Sequence, residues 1–384
     1  MMPGAMDDVF LTYTHTHLLR EGDDIVVQPG TDRTITTKCF VALATTIFGL
    51  DNREKPIVQR GLRRYGVALK ALNRALSDSD DCRSFDVLEA VIVMALFELL
   101  VGDREDGWIG HARGFEQLLD MRGPESMQAL PCLIILERAR TAMIFAALVT
   151  HNRTLISNPK WKQIPWMLHP ERKDALQLLL DIVADCPDIF VLRDQVLTPR
   201  KGVPLPISIP SLRDKGLKIL HDLENWETLW GSMALSRWDA VPSPSTTPTH
   251  SRPDGLRQLA WPTVLRYHSL HDASVSTTFH GALILVLLFI QSLNVDSQEP
   301  AETGQLKRMY VSGITICRSV DYHLEKLRDV GSSSILFPMR MAFEIVGKTD
   351  KDIGTWLAFQ LKVISSGSSG RWAMAEHLLG MRPT

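Results

Sequence analysis

Apolar side chains in this chain recur every three or four residues almost without interruption, and an alternation of period two never lasts long enough to mark a strand. That periodicity is the signature of helices with a buried face. Its cleanest instance follows Pro56, which suits a first turn, and runs through Val58, Leu62, Tyr65, Leu69, Leu72 and Leu76. Further helices are expected over residues 132–149, 174–183, 212–230, 267–293, 305–327 and 337–345. Residues 186 and 187, Cys-Pro, are expected to end the helix at 174–183. The fold class implied is all-α: one large single helical domain of packed antiparallel helices. No internal repeat of fixed period stands out, which disfavours a solenoid.

The rest is organised around residues 85–127, two helices and a polar turn. In the first, Phe85, Leu88, Ile92, Leu96 and Leu99 form one apolar row, while Val91, Met94, Ala95 and Leu100 fill other faces, as in a helix buried on most sides. Ser84 is the natural N-cap, and Asp86 suits the positive end of the helix dipole. In the second, Trp108, Ala112, Phe115 and Leu119 make one row; His111, Phe115, Leu118 and Arg122 make an overlapping one. Gly123 can take the left-handed conformation past the last turn, and Pro124 cannot continue the helix.

The string HARGFEQLLDMRGPESM, with His111, Gly114, Arg122, Gly123 and Pro124, resembles the regulatory region that follows the six-cysteine binuclear zinc cluster in many fungal transcription factors. RYGVALKALNRAL at residues 64–76, Gly107 with Trp108, ICRSVDYHL at 316–324 and FPMRMAFEI at 337–345 are similar to that family too. The family's DNA-reading part carries close cysteine pairs and a basic run, and neither is found here. The resemblance implies a transcription regulator in a fungal nucleus that acts through a protein partner or small-molecule effector. Control of a fungal metabolic gene cluster is its expected setting, and an enzyme of secondary metabolism on the same helical scaffold is the alternative.

Composition narrows the remaining classes. With 45% hydrophobic and 22% charged residues there is ample material for a core, and a formal charge of -2 supplies no global attraction to phosphate. Direct sequence-specific DNA binding by this chain alone is therefore not expected. The five cysteines, Cys39, Cys82, Cys132, Cys186 and Cys317, stand far apart, so neither a disulfide framework nor a zinc site is indicated. A reduced intracellular compartment and no secretory signal are expected. The apolar run at residues 282–293 is too short to span a bilayer and is expected to be a buried helix. Residues 1–38 form an N-terminal segment, 39–364 the helical regulatory domain and 365–384 a tail joined by the flexible SSGSSG. Within the domain, the Pro-, Ser- and Thr-rich residues 241–254 read as an exposed, flexible linker.

No phosphate-binding glycine loop, nucleophile elbow or paired metal-ligand motif is present, so no cofactor, metal or catalytic residue is assigned. His15 and His17 are two apart and share no helix face. His221, Asp222 and Glu224 read as a solvated surface, and His268 with His271 lacks a third ligand. The candidate site is polar: Glu98 on an otherwise apolar helix, with His111 and Arg122 on the next. Such groups need partners when buried, so a hydrogen-bond network pinning the helix pair, or an effector pocket lined by it, is expected.

Overall fold

The computed structural model describes residues 3–18, 34–102, 107–198, 206–234, 237–251, 257–293, 303–326 and 333–366. The fold is all-α, with two short antiparallel ribbons among the described residues. It divides into two compact units: residues 1–139 with 327–330 and 363–377, and residues 140–326 with 331–362 and 378–384.

In the first unit, α1 (Pro3–Leu18), α2 (Ile35–Asp51), α3 (Lys55–Leu76), α4 (Phe85–Val101) and α5 (Gly107–Arg122) follow one another, and α6 (Leu130–Thr150) begins there. Helix α2 starts at Ile35, four residues before the expected domain boundary, because Thr34 caps it: its side chain accepts from the Thr37 amide. A second cap comes from far away in sequence. The Asp86 carboxylate accepts the amides of Ile35 at 2.8 Å and Thr36 at 3.0 Å, so the acid expected only to favour its own helix also closes the start of α2.

Helices α2 and α3 cross where glycines remove side chains. A Cβ at Gly61 would lie 2.1 Å from Thr46 Oγ1 and 2.7 Å from the Thr46 amide nitrogen, and one at Gly49 would lie 2.6 Å from the Val58 amide nitrogen. Glycines on both helices, each facing a β-branched residue of the other, let the backbones approach more closely than any larger residue allows. Pro56 stands in the first turn of α3 as its sequence suggests.

The second unit holds the later part of α6, then α7 (Pro159–Gln163), α8 (Ala175–Val183), α9 (Cys186–Leu197), α10 (Ile209–Ala234), α11 (Leu270–Ser292), α12 (Thr303–Glu325), α13 (Ser333–Ala342) and α14 (Lys351–Ser366) up to Lys362. Pro187 does not end a helix: it stands in the first turn of α9, where a missing amide costs nothing. Trp161 and Trp166 are buried, as their place in an irregular Pro-rich crossing suggests. Helix α11 packs against α10, α12 and α13 and is the centre of this unit. It begins at Leu270, well before the apolar run at 282–293, so it is long and apolar enough to cross a membrane, but 89% of its apolar window is buried inside the fold.

The linker expectation needs correction. Residues 241 and 242 belong to β1 (Trp238–Pro242), and residues 249–251 form β2 (Thr249–Ser251). Strand β1 pairs with β4 (Thr263–Tyr267) from Trp238 opposite Tyr267 to Pro242 opposite Thr263, and β2 pairs with β3 (Arg257–Leu259). The turn residues are bonded: Ser243 Oγ donates to the Trp261 carbonyl at 2.8 Å, the Thr247 amide to the Pro244 carbonyl at 3.1 Å, and the Ala260 amide to the Pro248 carbonyl at 2.8 Å. Serine and threonine here satisfy turn backbone, and the prolines stand where no amide is needed, so a composition typical of linkers folds against a buried partner strand. Residues 252–254 lie outside the described residues. Ser365 and Ser366 continue α14, and residues 367–370 of the expected joint, with the expected tail helix, also lie outside them.

Candidate functional site

Helix α4 starts as its sequence dictates, with Ser84 Oγ accepting the Val87 amide at 3.2 Å. It runs back against α5, and this antiparallel hairpin decides what its three polar residues can do. Glu98 lies near the end of α4 and His111 in the second turn of α5, whereas Arg122 ends α5. Eleven residues of helix, about 16 Å of rise, separate His111 from Arg122. The expected network is therefore two separate arrangements, one at each end of the hairpin.

At the first end the Tyr65 hydroxyl donates to Glu98 Oε1, and the Tyr65 ring stacks on Phe97 at 4.1 Å between centroids. Burial raises the Tyr65 pKa, and its hydrogen bond to Glu98 adds to the shift, so the phenol stays protonated as donor. A Cβ at Gly102 or Gly107 would lie 2.5 or 2.6 Å from Glu98 Oε2: the two glycines make room for the carboxylate. Gly107 opens α5, so the acid lies at the positive end of that helix. Burial lowers the His111 pKa below its ordinary 6.5, opposed by the nearby Glu98 charge. At neutral pH the imidazole is a neutral hydrogen-bonding group. Trp108, on the same turn of α5, is buried with its Nε1 unpartnered among the described residues.

At the second end Arg122 Nη1 donates to the carbonyls of Arg83 and of Ser84, the latter at 3.2 Å. These belong to the turn leading into α4, so the guanidinium ties the end of α5 to the start of its neighbour. Gly123 has φ 77 and ψ 158, a positive-φ conformation open to glycine but extended in ψ rather than left-handed helical as expected, and its amide donates to the Leu119 carbonyl at 2.9 Å. The Cys132 thiol is raised by burial, while the Arg122 charge and hydrogen bond pull it down. Replacing Arg122 with alanine is expected to cost about 1 to 3 kcal/mol of stability, because two carbonyls lose a charged donor. A chemical denaturation midpoint unchanged from the parent would show that the contact is solvated and contributes nothing.

The second unit holds a buried cluster that sequence reasoning missed. Arg140 is 0% exposed; its Nη1 donates to the Gln177 carbonyl at 3.1 Å and side-chain Oε1 at 2.8 Å, and its Nη2 to Asp181. The guanidinium lies 4.8 Å from the Trp166 ring centroid, and Lys173 Nζ lies 2.7 Å from Asp181 Oδ2. Its position was the available signal: Arg140 falls four residues after Leu136 and three before Met143, on the apolar row of α6.

The discounted histidines find ordinary places. His268 precedes α11 and so shares no helix face with His271, whose Nε2 lies 3.4 Å from Asp174. Asp222 pairs with Lys218 at 2.8 Å, and Glu224 with Arg308 at 2.6 Å. His15 and His17 fall in α1, with their side chains outside the described residues. Among the described residues no group of three or more His, Cys, Asp or Glu could hold a metal ion. An open cavity of about 390 Å³ lies between the β1–β4 ribbon and α12, lined by residues including Val264, Arg266, Asp321 and Glu325. Glu98, His111 and Arg122 do not line it.

Residues 11–154 match the fungal specific transcription factor domain, a stretch that contains the α2–α3 pair and the whole α4–α5 hairpin. The resemblances at 316–324 and 337–345 lie outside the matched stretch. An uncharacterized protein of Emericella nidulans is 30% identical over 114 residues, which cover 30% of this chain and 24% of that protein. The aligned stretch thus spans about a quarter of its relative. No solved structure matches the chain.

Proposed function

We infer, from the fungal specific transcription factor domain at residues 11–154, that the protein regulates transcription in a fungal nucleus by binding a protein partner or a small-molecule effector. That match is the single observation carrying the reading. The formal charge of -2 supports a role exercised through another protein, since sequence readout on DNA needs phosphate contacts to position it. The α4–α5 hairpin serves this role as a rigid support. Its polar ends fix two helices against each other, and a regulator's contact surface must keep its shape to be recognised.

The regulated genes are proposed to belong to a metabolic gene cluster. Deleting the gene and measuring transcripts and metabolites of its neighbours tests this: the neighbouring transcripts are expected to fall together. Intact transcripts with accumulation of a single intermediate would overturn the reading in favour of an enzyme.

A further inference from the structure

Helix α3 carries six cations, Lys55, Arg60, Arg63, Arg64, Lys70 and Arg74, and no acidic residue in its 22 positions. Two are accounted for within the unit. Arg64 pairs with Asp7 at 2.7 Å and donates to Thr45 Oγ1 at 2.9 Å, and Arg60 is also engaged. Arg63, Lys70 and Arg74 are exposed and have no ion-pair or hydrogen-bond partner among the described residues. At about 100° per residue these three fall within roughly 40° of one another, along about 16 Å of helix. Val67 stands in the middle of the row and is 63% exposed.

Beside this row lies Gly66, where a Cβ would meet nothing within 4 Å. Among the described residues no contact requires a glycine there, yet glycine in mid-helix lowers helix stability. Its use is understandable where another backbone approaches the helix closely.

We propose that the Arg63, Val67, Lys70 and Arg74 face of α3 docks an acidic amphipathic helix of a partner protein, its carboxylates meeting the three cations and one apolar side chain covering Val67. This deepens the reading of the protein as a regulator acting through a partner, and rests on it. Three observations favour a protein over a nucleic acid. The exposed valine has no use for phosphate. Three phosphate contacts would hold a duplex weakly at physiological salt. And the exposed Asp78, Asp80 and Asp81, just past the end of α3, would repel a longer polyanion.

The test uses the full chain and a synthetic 22-residue helical peptide with glutamates on one face around a leucine, followed by fluorescence anisotropy. Binding is expected, weakening about tenfold or more between low and high salt, and about tenfold in the Arg63→Gln, Lys70→Gln, Arg74→Gln triple variant. The Gln variant should keep the parent's circular dichroism and melting temperature, as all three residues are exposed. Reversing the three charges to glutamate should transfer preference to the lysine version of the peptide. Absence of binding at millimolar peptide, equal binding by the triple variant, or tighter binding of a 20-base-pair duplex or phosphatidylserine vesicles would overturn the proposal. Failure here with falling neighbour transcripts in the deletion strain would leave the regulator reading standing; binding here with unchanged transcripts would remove that reading and leave a docking site.

Discussion

Replacing Arg140 with methionine is expected to lower the unfolding free energy by about 3 kcal/mol or more, read as a shift in urea denaturation midpoint. Methionine restores the volume and much of the apolar contact, so the loss isolates the charge. What remains behind is the Asp181 carboxylate, only 15% exposed, together with the Gln177 oxygens that accepted from the guanidinium. Removing one partner of a buried pair costs far more than the pair contributes net, because an uncompensated charge stays in a poorly solvating place. Lys173, at 2.7 Å from Asp181, retains part of the compensation and keeps the loss toward the lower end of the usual 3 to 5 kcal/mol. The double variant with Asp181→Asn should recover much of it. A single-variant loss under about 1 kcal/mol would mean that water reaches the carboxylate.

The same substitution at two glycines of α3 should have opposite signs. Gly61→Ala puts a methyl group 2.7 Å from the Thr46 amide nitrogen and 2.9 Å from its Cα, and backbone cannot rotate away as a side chain can. Thr46 Oγ1 is itself held by its bond to the Ala42 carbonyl at 2.8 Å. Helices α2 and α3 must separate, at about 2 to 3 kcal/mol, which outweighs the gain of up to about 1 kcal/mol in helix propensity. Gly66→Ala meets open space and keeps that gain, so its melting temperature should rise. A fall in both would show that α3 depends on its glycines for some reason other than the crossing.

These positions also mark what could be foreseen in the residue order. The helical period located the elements because burying one face of a helix needs apolar residues every three or four positions, a local property. Caps were equally legible: Ser84, Gly123 and Pro56 act within a turn of themselves. Asp86 was half legible. Its charge suits α4, but its bonds to Ile35 and Thr36 depend on which helix end folds against it. Glu98, His111 and Arg122 stand out in the sequence as polar groups that need partners where they are buried. Their separation into two ends followed from the antiparallel return of α5, which the spacing alone left open. The ribbon from Trp238 escaped because a five-residue strand with two of its residues half-buried is too short to show alternation, and its stability comes from Val264 and Leu265 across the ladder. The Arg140–Asp181 pair was likewise invisible, since pairing across 41 residues leaves no periodic trace.

Helix α11 has a bearing on how the protein is made. During synthesis it leaves the ribosome as 23 residues of membrane-like apolarity, with α10 already available to shelter it but α12 and α13 still to come. Until about fifty further residues emerge, α12 and α13 do not exist, and the nascent chain offers a surface that chaperones and targeting factors recognise by apolarity alone. A chain interrupted between α11 and α12 would lack both helices that cover that surface from the C-terminal side and is expected to aggregate, which pelleting of the truncated chain checks. The order of helices along the chain thus leaves the covering of α11 to two helices made after it, α12 and α13.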